Sequence, residues 1–247
     1  MELFADWHTH TTYSDGHGTV AENVRAAIDR GLEELGITDH GPRNIGVGVK
    51  DDDTYLEIRE TVKNLNNEGS EITVKVGAEA DIIDVDGRID ISAAVARDLD
   101  ILIVGLHPYI WPATLDGIWS VVGVNQMAKF SRSLREKARV VNTKALKEVI
   151  GSYDVDFISH PDLKMPVDIP ELAAACAKWD TALEINTGHH YEKEELVRTA
   201  SKKGVDFVVS SDAHFPQTVG ELAAGAALLE KFNIPAERVV NARETRH

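Results

Sequence analysis

Short β-branched apolar runs alternate with amphipathic segments along this chain. Seven runs read as strands: Leu3–Trp7, Leu35–Asp39, Thr73–Ala78, Ile101–Leu106, Val155–Ser159, Ala182–Ile185 and Val205–Ser210. Their near-continuous Val, Ile and Leu character predicts strands covered on both faces, as in parallel sheets. The segments between them carry a 3.6-residue apolar repeat. Thr19 is placed to N-cap a helix with Val20, Val24, Ala27 and Ile28 on its apolar stripe, Glu22 in its first turn and Gly31 near its end. Further helices are expected over Thr54–Asn66, Ala93–Asp98, Thr143–Gly151, Ile169–Lys178, Glu192–Lys203 and Val219–Phe232. Strand following helix in this way predicts right-handed βαβ units, and seven of them read as an α/β barrel more readily than as an open sheet. The stretch Ile110–Val141 is the least regular connection and is expected to be an insertion over one mouth.

A length of 247 residues suits one domain of barrel size, with no linker or repeat to divide it. The 26 basic and 41 acidic side chains leave a formal charge of −15, which weighs against binding long nucleic acid. A small anionic substrate stays open, provided that positive charge is supplied locally. No apolar run reaches the roughly 18 residues needed to cross a bilayer. The first residues lack the basic and apolar regions of a signal peptide. Cys176 is the single cysteine, so no intrachain disulfide can form, and a cytoplasmic protein with no membrane partner is expected. Cys176, in an Ala-rich stretch near Trp179, reads as a small buried hydrophobe. Apolar residues in Ile110–Trp119 allow a partner surface, but nothing in the pattern fixes an oligomeric state.

The histidines change the picture. The first strand runs into His8-Thr9-His10 with Asp15 shortly after, and the second ends in Thr38-Asp39-His40-Gly41. The third ends in Gly77-Ala78-Glu79, the fourth in Gly105-Leu106-His107, and the fifth in Ser159-His160-Pro161. The seventh ends in Ser211-Asp212-Ala213-His214. Six strands thus release a His, Asp or Glu at their C-terminal ends, which in a parallel barrel share the face where active sites are built. His8 with His10, and Asp212 with His214, are two apart and point to one side of an extended chain. Independent structural histidines have no reason to choose the same end of successive strands. Burying such a cluster uncompensated is costly, so divalent metal is the simplest account. Nine groups (His8, His10, Asp15, His40, Glu79, His107, His160, Asp212, His214) suit two or three ions. Imidazole and carboxylate without thiolate favour zinc, manganese or iron.

On these motifs, together with Ser14-Asp15-Gly16, Val85-Asp86-Gly87, Asn142-Thr143 and Leu183-Glu184-Ile185-Asn186, the chain resembles the PHP (polymerase and histidinol phosphatase) superfamily, in its small stand-alone bacterial phosphatase branch. The resemblance covers about residues 3–242. It implies a distorted (β/α)7 TIM-like barrel holding three divalent ions, zinc foremost. It also implies that His8, His10, Glu79 and Asp212 hold one ion, that Glu79 bridges to a second held by His107 and His160, and that Asp15, His40 and His214 hold the third. Many members of this branch have His where this chain has Asp15, and His17 stands two residues later, so either could complete the third site.

The expected activity is hydrolysis of a small phosphomonoester, a phosphorylated metabolite or nucleotide, by a hydroxide bridging two ions at Glu79. His40 and His214 could assist the leaving group, although a coordinated imidazole is no free acid. Arg43, directly after a strand end, and His189 beside Asn186 are the expected substrate contacts. His190, Arg132, Arg135 and Arg139 read as solvated loop or surface residues. Glu184, Asn186 and Asp6 are placed to hydrogen-bond ligating histidines from behind. The alternatives are phosphodiesterase or exonuclease action on short oligonucleotide ends, histidinol-phosphatase-type activity, and an inert metal-binding scaffold.

Overall fold

The computed structural model describes residues 1–67, 69–114 and 117–245, so Leu115 and Asp116 of the expected insertion lie outside the described residues. Seven strands form one sheet in chain order, every neighbouring pair parallel. They are β2 (Ala5–Asp6), β3 (Glu34–Ile37), β4 (Thr73–Asp81), β5 (Ile101–Gly105), β6 (Phe157–Ile158), β7 (Ala182–Asn186) and β8 (Phe207–Ser210). Past β2 and β8 the two outer strands meet: Thr9 bridges Ala213, and the His10 amide donates to the Ala213 carbonyl at 2.9 Å. That seam brings the sheet close to a closed barrel, as expected. Outside it, β1 (Glu2–Leu3) pairs antiparallel with β9 (Ala242–Arg243).

Helices fill the connections: α1 (Val20–Asp29), α2 (Asp53–Asn67), α3 (Ala93–Asp98), α4 (Arg132–Ser152), α5 (Ile169–Trp179), α6 (Lys193–Ala200) and α7 (Ala223–Lys231). α1 starts where expected because Thr19 and Glu22 form a reciprocal cap: the Thr19 side chain accepts from the Glu22 amide, and the Glu22 carboxylate accepts from the Thr19 amide. Val20, Val24 and Ala27 of this helix are buried.

Along β5, Leu102 and Val104 join the large apolar core under the helices, whereas Ile101 and Ile103 join a smaller cluster with Phe157, Ala182 and Val208. That alternation is the two faces of one strand, and the smaller cluster fills the barrel interior. Each Ile, Val, Leu or Phe among them contributes about 1.5–3 kcal/mol by leaving water. The Phe157 ring lies 6.4 Å from the ring of His8, so the apolar filling ends directly beneath the histidines.

Three expectations need correction. The first strand breaks at Phe4, whose amide donates to the Asn241 carbonyl, so Glu2–Leu3 leaves the barrel for the β1–β9 ribbon. The helix expected from Thr143 begins at Arg132, where the Ser131 side chain accepts from the Leu134 amide. Its first turns carry mostly charged, exposed residues and so show no apolar stripe. The last helix begins at Ala223 rather than Val219, because Gly220 adopts φ of +75° and interrupts helical geometry. In the insertion, Ile118–Gly123 is a π-helical turn leading into a short helical turn at Val124–Met127.

Candidate metal centre

Strand β4 stays paired with β5 to its end, with Glu79 opposite Ile103 and Asp81 opposite Gly105. This carries Glu79 into the middle of the rim, where it is completely buried. Its Oε2 lies 3.2 Å from His8 Nε2, 3.7 Å from His10 Nε2 and 3.0 Å from His40 Nδ1. Its Oε1 lies 2.9 Å from His160 Nε2 and 3.5 Å from His107 Nε2. Asp212 Oδ1 lies 3.1 Å from His10 Nε2 and 3.6 Å from His8 Nε2. Asp15 stands on the outer side, its Oδ2 3.2 Å from His214 Nε2 and its Oδ1 3.8 Å from His40 Nε2. All nine predicted ligands therefore meet in one cluster. His17 stands apart from it, its ring stacked on Phe215 at 4.3 Å between centroids.

The donor atoms fit divalent ions on two independent grounds. Ligand atoms of His10, Asp15, His40 and His214, of His8, His10 and Glu79, and of His40, Glu79 and His107 each gather within 4.8 Å of one another. In addition, His8 Nε2, His10 Nδ1 and both carboxylate oxygens of Glu79 are buried without a hydrogen-bond partner among the described residues. Leaving several such groups unmet costs a few kcal/mol in total. A cation between them satisfies them together.

The protonation pattern points the same way. Burial works to raise Glu79, yet His8, His107, His40 and His160 around it hold it well below the usual carboxylate range. Asp212 is likewise held low against burial, chiefly by His8 and by hydrogen bonds from His10 and His189. Burial also opposes ionisation of Asp15, but its hydrogen bond to His214 and the neighbouring imidazoles bring it to about 2. His10 is driven down to about 4 by burial and by His40. His40 rises to about 9, because Glu79 outweighs the burial that works against its charge. Without another cation, protons on some imidazoles answer the carboxylates, and metal would compete for the same places.

Behind the ligands lies a second layer of acceptors. His8 Nδ1 meets Glu184 Oε1 at 2.6 Å, His107 Nδ1 meets Asp81 Oδ1 at 2.5 Å, and His214 Nδ1 meets the Asp212 carbonyl at 2.9 Å. Each contact leaves Nε2 facing inward and fixes the ring. Asn186, expected to bond a ligating histidine, instead donates to the carboxylates of Glu184 and Asp212, because its amide points along the strand face toward those acceptors. Asp6 instead accepts from Ser211 and Gly220, and so steadies the turn carrying Asp212. Asp81, Asp90 and Asp39 were missed. Asp39 accepts from Thr11 and Ser14, ordering the loop that carries Asp15. Asp90 accepts from the amides of Asp81 and Arg43. Asp81 could have been found, since it lies two residues after Glu79 on the same strand face.

The backbone is shaped to the site. His160 and Asp212 adopt φ of 26° and 52°, values uncommon for residues with a Cβ. At Gly105 a Cβ would stand 2.6 Å from Ser159 Oγ, 2.9 Å from His107 Cε1 and 3.0 Å from Glu79 Oε1, so only glycine leaves the rim open there.

The substrate candidates occupy different positions. His189 reaches the rim, its Nε2 3.2 Å from Asp212 Oδ2, and it borders a cavity of about 280 Å³ that also touches Asp212 and His214. Arg43 is half-buried, and its guanidinium donates to the carbonyls of Trp111 and Pro112 at 3.2 Å each, strapping the insertion to the loop after β3. His190 is exposed. Arg139 pairs with Glu136 and Asp168.

A nearly closed parallel barrel thus gathers at one rim a buried set of imidazoles and carboxylates that could hold metal ions. The PHP domain family matches residues 6–221, and the chain belongs to that family. It is 31% identical to a probable phosphatase of Caldanaerobacter subterraneus over 98% of this chain and 88% of the relative. It is 29% identical to a probable phosphatase of Acetivibrio thermocellus, over 98% and 92% of the two chains. The fold is similar to that of histidinol phosphate phosphatase from Lactococcus lactis, solved with zinc, L-histidinol and phosphate. That match has a TM-score of 0.64 at 18% identity and covers 93% of each chain. The chain is thus a PHP-family enzyme of the metal-dependent phosphatase class.

Proposed function

We propose that this enzyme hydrolyses a small phosphomonoester, a phosphorylated metabolite or nucleotide, and that one domain spanning residues 1–247 carries the activity. The observation that carries the reading is the set of inward-facing buried atoms on His8, His10 and Glu79 that find no hydrogen-bond partner among the described residues. Three divalent ions answer them best, zinc foremost with manganese or iron as alternatives. His8, His10, Glu79 and Asp212 would hold the first, and Glu79, His107 and His160 the second. Asp15, His40 and His214 would hold the third, with His10 and Glu79 close enough to touch neighbouring sites. Bound there, the ions would supply Lewis acidity that activates water near neutral pH and offsets charge on the phosphate oxygens.

The chain's own groups do the rest. Glu79 stays ionised under the surrounding imidazoles and so holds negative charge between cation positions. Glu184 and Asp81 keep His8 and His107 aimed inward, which removes the reorganisation cost of assembling the site for each turnover. His189, at the edge of the cavity beside Asp212, is placed to contact the substrate's phosphate or leaving oxygen. Arg43 holds the insertion at the mouth, and through it the shape of the entrance.

Turnover of p-nitrophenyl phosphate and of bis-p-nitrophenyl phosphate, with zinc or manganese and again after chelation, tests the reading. Metal-dependent hydrolysis of the monoester alone is expected. Preferred diester hydrolysis would make the enzyme a phosphodiesterase, and tightly held metal without turnover of either would make it an inert scaffold.

A further inference from the structure

The loops that follow His107 and His160 diverge around a cleft of about 350 Å³ that the phosphatase reading does not use. Its walls begin at the metal centre: Pro108 directly follows His107, Lys164 is four residues beyond His160, and those two imidazoles meet edge to face at 5.0 Å. The far wall is the start of α4 and the turn before it. Three cations, Lys129, Arg135 and Lys164, border this space. None of them makes an ion pair with a carboxylate among the described residues, though Asp162 lies close enough to Arg135 to feel its charge. Tyr109, 62% exposed, and buried Met165 give the cleft an apolar side.

The cleft is built rather than accidental. Gln126 donates to the Pro108 carbonyl at 2.9 Å, and Asn142 donates to the Pro166 carbonyl at 2.9 Å, pinning both walls to the helical insertion. Asp162 and Lys164 adopt φ of 71° and 61°, a conformation that costs about 1 kcal/mol or more in a residue with a Cβ. The strain turns this loop so that Lys164 borders the cleft. In a chain of net charge −15, three cations on one concavity, none in an ion pair among the described residues, form a local exception to the surrounding field.

We infer that this cleft is a specificity subsite for a second anionic group of the substrate, a phosphate or carboxylate, held while the scissile phosphate occupies the metal centre. This rests on the phosphomonoesterase reading above. Lys129, Arg135 and Lys164 would receive the second anion by charge-assisted hydrogen bonds, and Tyr109 and Met165 would cover the carbon spacer. The preferred substrates would then be small phosphoesters with an anion at each end.

Matched substrate pairs test it on the metal-loaded enzyme. Fructose 1,6-bisphosphate against fructose 1-phosphate probes a second phosphate, and 6-phosphogluconate against glucose 6-phosphate probes a carboxylate. At least one doubly anionic member is expected to exceed its partner about tenfold in kcat/KM, mainly through KM, and the pair that responds identifies the anion. Arg135→Gln and Lys164→Gln should each erode that preference several-fold while leaving phenyl phosphate turnover unchanged. Equal kcat/KM within both pairs, with phenyl phosphate still hydrolysed, would overturn the subsite and leave the phosphatase reading intact. Failure to hydrolyse any phosphomonoester with metal bound would overturn both. A preference that survives both substitutions would place the selecting group elsewhere and refute this assignment.

Discussion

Nδ1 of His8 lies 2.6 Å from Oε1 of Glu184, joining side chains 176 residues apart in the chain. The other oxygen of Glu184 accepts from the His160 amide at 2.6 Å, so one buried carboxylate aligns residues assigned to two ion positions. Glu184→Gln removes the charge while keeping the shape. Metal affinity in a chelator competition should fall about 10- to 100-fold, with the circular dichroism spectrum retained. Unchanged affinity would show that the contact only fills space.

Glu79 presents one oxygen to His8, His10 and His40 and the other to His107 and His160. In Glu79→Gln the charge between the proposed cation positions is lost. Turnover should drop about 100-fold or more and elemental analysis should find fewer ions per chain, while the barrel stays folded. Near-wild-type kinetics with full metal content would remove Glu79 from its bridging role.

Metal uptake should release protons. His40, raised to about 9, holds a proton in the metal-free cluster near neutral pH, and an ion can bind an imidazole only after that proton leaves. Affinity should therefore increase as pH rises from about 6 to about 8. Calorimetric titrations in buffers of different ionisation enthalpy should give a positive count of protons released. Chelation should correspondingly lower the melting temperature, since an ion at 100 times its Kd contributes about 2.7 kcal/mol.

Asp15 and His17 compete in the sequence for the same role, but the Asp15 carboxylate lies beside the His214 and His40 rings, whereas His17 touches His214 through its backbone amide and stacks its ring on Phe215. Asp15→Asn should weaken the outermost ion and reduce turnover about tenfold or more. His17→Asn should leave both metal content and kcat within about twofold of wild type.

Cys176 is fully buried in α5, and burial pushes its thiol up to about 12. A thiol reagent at about pH 8 should leave it unlabelled in the native enzyme and label one equivalent after denaturation. Rapid labelling of the folded protein would mean that α5 opens readily.

The rim was legible in the sequence because strand ends declare themselves: most of the ligands follow an apolar run, and one parallel sheet aligns such ends. Glu79 lies inside β4, which runs on to Asp81, and Asp15 lies in the loop after His10. What lay beyond reach depends on side chains that meet across the fold. Asp39 is a ligand neighbour by position, yet its work is to hold Thr11 and Ser14, and no periodicity predicts that. Arg43 was singled out for its charge, whereas the structure turns its guanidinium to the backbone of the insertion, a partner no motif encodes. The start of α4 was hidden because Arg132, Ser133, Glu136 and Lys137 are exposed, so its first turns carry too few apolar residues to form a stripe. The cationic cleft draws Lys129, Arg135 and Lys164 from separate segments, and only their convergence gives them meaning.

The barrel's seam, where Thr9 bridges Ala213, runs between His8 and His10 on one side and Asp212 and His214 on the other. Cations held as proposed would grip both margins and act as rivets across the join. Parting of the outermost strands and departure of the ions would then become a single event, so the exchange rate of bound metal would read out how often the wall of the barrel breathes.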